Sequence, residues 1–192
     1  MCNAQFLFPF SRLNTPTPIV IRPLQLSDSP QLEEFLSRLS EESRYLRFLA
    51  VIHHFTPEHL AQLTNVRPGR DVALAAVTAG QGAEEIVGVA RYAGLSDPHR
   101  AEFALVVRDD LQGHGIGTKL MHMLIDCARE HGLHGLEGLV LATNHKMLDL
   151  MAHLRFGVMP DPQDPTMRRV VLDLTAGGIT NAEADPDLIS FL

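Results

Sequence analysis

The chain has 192 residues, 45% of them hydrophobic, with a formal net charge of −7 and two cysteines. That length and hydrophobicity fit one globular domain with tails, the acidic balance argues against nonspecific nucleic-acid binding, and Cys2 and Cys127 give no disulfide framework. No apolar run is long enough to cross a bilayer, and the N-terminal MCNAQFLFPF lacks the basic start and small-residue cleavage site of a signal peptide, so a cytoplasmic protein that does not enter membranes is expected.

Residues 1–17 read as a lead-in punctuated by Pro9 and Pro16, whose Phe6, Leu7, Phe8 and Phe10 can dock on the body. A short strand, Ile19 to Leu24, follows. Asp28 or Ser29 can cap a helix with Pro30 at its start, in which Leu32, Phe35, Leu36 and Leu39 repeat at helical spacing. A second helix covers Glu41 to Phe48. A third starts after Thr56 and ends near Val66. Asp71–Ala79 and Glu85–Leu95 read as antiparallel strands joined by a turn at Gly80-Gln81-Gly82. Ala101–Val107 is the third strand of this meander. Ile116, Leu120, Leu124, Cys127, Ala128 and His131 then keep helical spacing up to a stop at Gly132. Leu139–Ala142 reads as a buried parallel strand, which closes a right-handed strand–helix–strand unit. Asn144 can cap a last helix carrying Met147, Leu150, Met151 and Leu154. Phe156–Met159 and Arg169–Leu174 are the closing strands, and residues 175–192 read as a mobile tail. His53, His54 and His59 lack partners at a metal-ligand spacing, so no metal is expected.

The chemistry concentrates between Ala101 and Ala128. Gln112-Gly113-His114-Gly115-Ile116-Gly117-Thr118 opens a helix directly after an apolar strand. A helix start presents backbone N–H groups without internal partners, and their partial positive charge favours an anion. Glycines there let the backbone approach it closely, so the loop reads as a phosphate or pyrophosphate site. It lacks the Gly-Lys-Ser/Thr ending of a P-loop and the G-x-G-x-x-G of a dinucleotide fold. What it matches is Q-x-x-G-x-G.

On the strand before the loop, Glu102 shares a face with Ala104 and Val106. A carboxylate buried among apolar groups rises towards neutrality and suits a general base. An acceptor lysine, with its pKa of about 10.4, must lose a proton before it attacks. The other reading is a structural salt bridge from Glu102 to Arg91 or Arg100. A backbone N–H near Val106 can polarise a carbonyl if the strand splays there.

The Q-x-x-G-x-G loop after Val106-Val107 resembles the acetyl-CoA loop of the GNAT N-acetyltransferases. From about Ile21 to Leu174 the chain is similar to the bacterial protein lysine acetyltransferases of that superfamily. The similarity is carried by Ile21-Arg22-Pro23, Ser40 to Phe48 (SEESRYLRF), Phe55 to Leu60 (FTPEHL), Ala101 to Ala104 (AEFA) and Asn144 to Leu148 (NHKML). It implies a mixed α/β GNAT domain over 18–174. Its central sheet would have six or seven mostly antiparallel strands, splayed at the acetyl-CoA site and flanked by four or five helices. It implies acetyl-CoA as co-substrate, held by Leu105, Val106, Val107, Gln112, Gly113, His114, Gly115, Ile116, Gly117 and Thr118, with Asn144 and Met147. It also implies Glu102 as the general base and Glu41, Glu42, Arg44 and Tyr45 as acceptor contacts on paired helices beside the groove. The reaction so implied is direct acetyl transfer to a protein lysine, for example on an acyl-CoA synthetase, by a monomer or homodimer. A small-amine acetyltransferase and a non-catalytic acetyl-CoA sensor are the alternatives. Two departures stand out. The helix after Asn144 carries no tyrosine, and Leu154-Arg155-Phe156 stands where Leu-Gly-Phe is usual.

Overall fold

A computed structural model describes residues 18–78 and 84–175, and the backbone of residues 6–8. The expected turn at Gly80-Gln81-Gly82 and the tail from 176 onward lie outside them. The chain order gives β1 (Phe6–Phe8), β2 (Ile19–Pro23), α1 (Ser29–Arg38), α2 (Glu41–Phe48), α3 (Pro57–Thr64), β3 (Asp71–Thr78), β4 (Glu85–Gly94) and β5 (Arg100–Val107). It continues with α4 (Ile116–Glu130), β6 (Gly135–Leu141), α5 (His145–His153), β7 (Gly157–Pro160) and β8 (Met167–Asp173). The eight strands form one mixed sheet in the order β1-β2-β3-β4-β5-β6-β8-β7. That is one more than the six or seven expected, because part of the lead-in, Phe6–Phe8, pairs antiparallel with β2.

Period-2 alternation sends the apolar residues of the central strands β3 and β4 to two separate cores. Val72, Leu74 and Ala76 of β3 face the core built with α4. Ala73, Ala75 and Val77 face the core built with α1 and α3. Along β4 the parity reverses: Val87 faces the first core and Val89 the second. The β3–β4 register explains it, because Ala76 pairs with Gly88 while Val77 pairs with Ile86, leaving Val87 as the extra residue of a bulge. Cys127 is fully buried on α4, as its place on the apolar face predicts, but it is disulfide-bonded and not a free thiol, which corrects the reading of it as a plain core residue.

Two local expectations change. Asp28 stands at the start of α1 without capping it through its side chain. Its buried carboxylate turns back to accept from Arg22 Nη1 at 2.7 Å and from the Gln25 N–H at 2.8 Å. The strand expected at Leu139–Ala142 starts earlier, at Gly135, and only its first part is parallel: Arg100, Ala101 and Glu102 of β5 pair with Gly135, Leu136 and Glu137. Leu139 to Leu141 pair only with β8, antiparallel. The remainder of β6 leaves β5, and that divergence builds the site.

The Leu154-Arg155-Phe156 departure also has a physical outcome. Arg155 takes φ 66°, the left-handed conformation that glycine adopts without cost. The Phe156 N–H still reaches the Met151 carbonyl at 2.9 Å, so α5 closes with a glycine-type end on an arginine. Arg155→Gly is expected to stabilise the protein by about 0.5–1 kcal/mol, the relieved strain exceeding glycine's extra chain entropy. A thermal melt should show a rise of about 1–4 °C. An unchanged or lowered melting point would mean that Arg155 makes good its strain elsewhere.

Candidate active site

Past the Glu102–Glu137 pair, β5 and β6 share no further paired positions, and the two strands open into a V. A cleft of about 360 Å³ lies in it, between Phe103 and Leu105 on one side and Gly138 and Val140 on the other. Helix α2 supplies another wall through Leu46, Arg47 and Phe48, and α3 adds Leu63. Glu102 lines this cleft at the closed end of the V. The sequence predicts a carboxylate pressed by apolar neighbours; Glu102 is instead exposed, because the strand face that carries it opens into the cleft. Neither expected ion-pair partner holds it. Arg100 Nη2 binds Glu137 at 2.5 Å, and Arg91 donates to the Gln62 carbonyl at 2.9 Å. Among the described residues no hydrogen bond or salt bridge occupies the Glu102 carboxylate.

A larger cleft of about 820 Å³ runs from this point to the glycine loop. The loop reaches α4 through Gly113 (φ 74°) and Gly115 (φ 78°), both left-handed. A Cβ on Gly115 would meet nothing within 4 Å, so the backbone faces open space there. The first helical bond is from the Lys119 N–H to the Gly115 carbonyl at 3.0 Å. The N–H groups of Ile116, Gly117 and Thr118 therefore have no acceptor within the helix. The clefts share Leu46, Arg47, Leu105, Asn144 and Met147, and so form one channel across the splayed sheet.

A polar latch holds the channel walls in register. The short 3-10 turn before the loop carries Asp109, which accepts from the Ser40 N–H at 3.0 Å, Ser40 Oγ at 2.6 Å and Ser43 Oγ at 2.7 Å. Burial pushes the Asp109 carboxyl up, but the Ser40 and Ser43 hydrogen bonds outweigh it and hold the group below the usual carboxylate range. Gln112 Nε2 donates to Ser43 Oγ at 3.1 Å and to the Val107 carbonyl at 3.2 Å, while its Oε1 accepts from Lys146 Nζ at 3.3 Å. The loop glutamine thus ties α2, β5 and α5 together. Asp109→Ala is expected to cost about 1–2 kcal/mol and to raise KM for donor and acceptor together, since α2 borders both clefts. A folded-state pKa below the unfolded value of about 3.9 means that this stabilisation is present above that value. It is lost as pH falls through the lower folded value. Melting curves from pH 7 downward should show wild type and Asp109→Ala converging in the acid range; a constant gap would reject the latch.

The residues named from sequence are distributed as follows. Leu105, Val106, Val107, Gln112, Gly113, Gly115, Gly117, Thr118, Asn144 and Met147 all line the larger cleft. His114 and Ile116 do not: His114 is exposed with Nδ1 2.8 Å from the Gln112 carbonyl, and Ile116 is anchored in the core. Asn144 caps α5, accepting from the Met147 N–H at 3.2 Å, and lines both clefts. Of the acceptor candidates on α2, Glu42 lines the larger cleft, whereas Glu41 and Tyr45 are exposed and line neither. The face of α2 that meets the channel is Ser43, Leu46 and Arg47, spaced i, i+3, i+4. Arg47, Asp109 and Lys146 are charged lining residues that the sequence reading passes over. Nothing in the spacing of α2 marks Arg47, because the buried position that orients the helix is Ser43, a polar residue.

The larger cleft suits a long ligand with an anionic part. Unpaired N–H groups and Lys146 stand at one end, while Leu105, Val106, Met147 and Leu150 give an apolar wall for a neutral arm. Comparison with known proteins agrees. Residues 34–156 match the acetyltransferase (GNAT) family. An acetyltransferase of Pseudomonas aeruginosa is 35% identical over 148 residues, covering 77% of this chain and 80% of that protein. The L-methionine sulfoximine/L-methionine sulfone acetyltransferase of the same organism is 33% identical over 105 residues, 50% of this chain and 58% of that one. Among solved structures, the GNAT domain of S. lividans PAT superposes with a TM-score of 0.76 at 24% identity, covering 88% of this chain and 96% of that one. The fold and its channel are those of an acyl-transfer enzyme. The chain belongs to the GNAT acetyltransferase family, whose acetyl donor is acetyl-CoA.

Among the described residues no helix is long and apolar enough to cross a membrane, and no group of three or more His, Cys, Asp or Glu is placed to hold a metal.

Proposed function

We propose that this protein acetylates the ε-amine of a protein lysine in the cytoplasm, with Glu102 as general base. One observation carries the reading: an unoccupied carboxylate stands in the smaller cleft, and that cleft runs into the glycine-loop cleft. Acetyl-CoA supplies an activated acetyl group as its thioester. The N–H groups of Ile116, Gly117 and Thr118 hold its pyrophosphate, and Leu105, Val106, Val107 and Met147 line the path of its pantetheine arm. Where β6 leaves β5, the exposed strand edge offers backbone groups to that arm and an N–H near Val106 to the acetyl oxygen. Glu102, directly or through one water, takes the proton that the lysine ammonium must lose. An ion pair would have engaged this carboxylate; its freedom suits proton transfer and speaks against the non-catalytic sensor. Neither tyrosine donates the final proton. Tyr45 lies outside both clefts, and Tyr92 is fully buried with its hydroxyl 2.7 Å from His131 Nδ1. Water fills that role.

A protein acceptor is supported by the similarity of the SEESRYLRF, FTPEHL and AEFA stretches to protein lysine acetyltransferases and by the openness of the smaller cleft; an acyl-CoA synthetase is a suitable target. The small-amine reading is favoured by the name of the methionine sulfoximine and sulfone enzyme and by its 33% identity. Incubation with labelled acetyl-CoA and a lysate of the source cells separates the two. Label in one or a few protein bands supports the proposal, and label confined to small molecules supports the second reading. Acetyl-CoA binding without transfer to any amine would overturn both.

A further inference from the structure

The charge of the smaller cleft runs opposite to that of the chain. Against a formal net charge of −7 for the whole protein, its charged lining residues are two arginines, Arg47 and Arg91, and one carboxylate, Glu102. Arg47 is half-buried and lines both clefts. Among the described residues it has no salt bridge and no hydrogen-bond acceptor. Its guanidinium carbon lies 4.7 Å from the ring centre of Phe48, which contacts the cation but does not neutralise it. Burial pushes Arg47 down to about 10, nearby Arg91 pushes the same way, and Glu102 only partly offsets them. Burial lowers Arg91 as well. Both stay cationic at neutral pH. A guanidinium held this way costs free energy until an anion arrives. Glu102 cannot supply that anion and also remain free to accept a proton.

We infer that the acceptor cleft selects amines that carry a carboxylate beside the reacting nitrogen, and that Arg47, with Arg91, binds that carboxylate. The inference rests on the acetyl-transfer reading above. The planar guanidinium fork matches a carboxylate bidentately and strengthens in a partly desolvated site. The same pair repels an acceptor that is cationic throughout, such as a polyamine, so selection works in both directions. The carboxylate can belong to an acidic side chain next to a protein lysine or to a free amino acid.

The test measures kcat/KM for matched acceptors. One pair is an end-blocked lysine peptide with glutamate or glutamine beside the lysine. The other is a free amino acid and its carboxamide. Spermidine is the all-cationic control. The wild type is expected to favour the carboxylate member of at least one pair by about tenfold or more, mainly through KM, and to use spermidine least. The pair that shows the preference identifies the source of the carboxylate. In Arg47→Gln the ratio should fall towards one, in Arg47→Lys it should survive in part, and Arg47→Glu should shift preference towards peptides with a neighbouring lysine. Ratios within twofold in the wild type overturn the inference while leaving acetyl transfer standing. So does a wild-type preference that persists undiminished in both Arg47→Gln and Arg91→Gln. Because the wild-type ratios alone decide the first point, a variant that fails to fold does not rescue the idea. Bound acetyl-CoA with no acetylation of any acceptor would remove both the function and this inference.

Discussion

Glu102→Gln is expected to lower kcat/KM for amine acetylation by about 10²- to 10⁴-fold, the range a positioned general base contributes. Glutamine keeps the size of the side chain but cannot accept the proton. The loss should lie in kcat, because Glu102 lines the acceptor cleft and not the loop-bound cleft. Acetyl-CoA affinity by calorimetry should therefore stay near wild type. The pH profile gives a second readout. Without a base, the residual rate follows the free-amine fraction of the acceptor, rising about tenfold per pH unit below its pKa of about 10.4. The wild type should rise less steeply, because a base in the cleft takes over that deprotonation. A loss below about fivefold, with an unchanged profile, would mean that water alone deprotonates the acceptor and that Glu102 serves another purpose.

The strand–loop–helix from β5 to α4 was legible because its signals are local. Apolar alternation, three closely spaced glycines and a helical stripe all lie in one stretch of chain, and each follows from backbone sterics. Helix α2 was equally plain in extent, Glu41–Phe48, but not in orientation. Its few apolar residues define no clear stripe, so Arg47 and Tyr45 cannot be sorted between channel and solvent from spacing alone. The environment of Glu102 is set by tertiary structure that spacing does not show. Alternation places it on a face with Ala104 and Val106, but whether that face is covered depends on where β6 parts from β5. That divergence follows Glu137, and nothing in either strand announces it. Gly135 and Gly138 also break the apolar run of β6 and hide its first half, which is the half that pairs in parallel. Arg155 shows the converse case. Its departure from the usual glycine was visible, but its consequence, a left-handed arginine closing α5, needed the backbone angles.

Gly115→Glu is expected to weaken acetyl-CoA binding by at least about 100-fold, for two separable reasons. The first is conformational: φ 78° at this position costs a residue with a Cβ about 1–2 kcal/mol. The second is charge. The new side chain starts where a Cβ meets nothing within 4 Å, on the cleft lined by Gly113, Gly115 and Gly117, and it brings a carboxylate to the place assigned to a pyrophosphate. At about 4 Å and an effective dielectric near 20, like charges repel by about 4 kcal/mol, enough alone for a loss of several hundred-fold. Gly115→Ala separates the terms, because it bears the strain without the charge and should lose no more than about thirtyfold. Rising ionic strength should narrow the gap between the two variants, since screening acts on the charge and not on the backbone. Equal losses in both variants would make the loop's conformation, rather than an anion at the start of α4, the determinant. Near-wild-type affinity in Gly115→Glu would move the pyrophosphate away from this loop altogether.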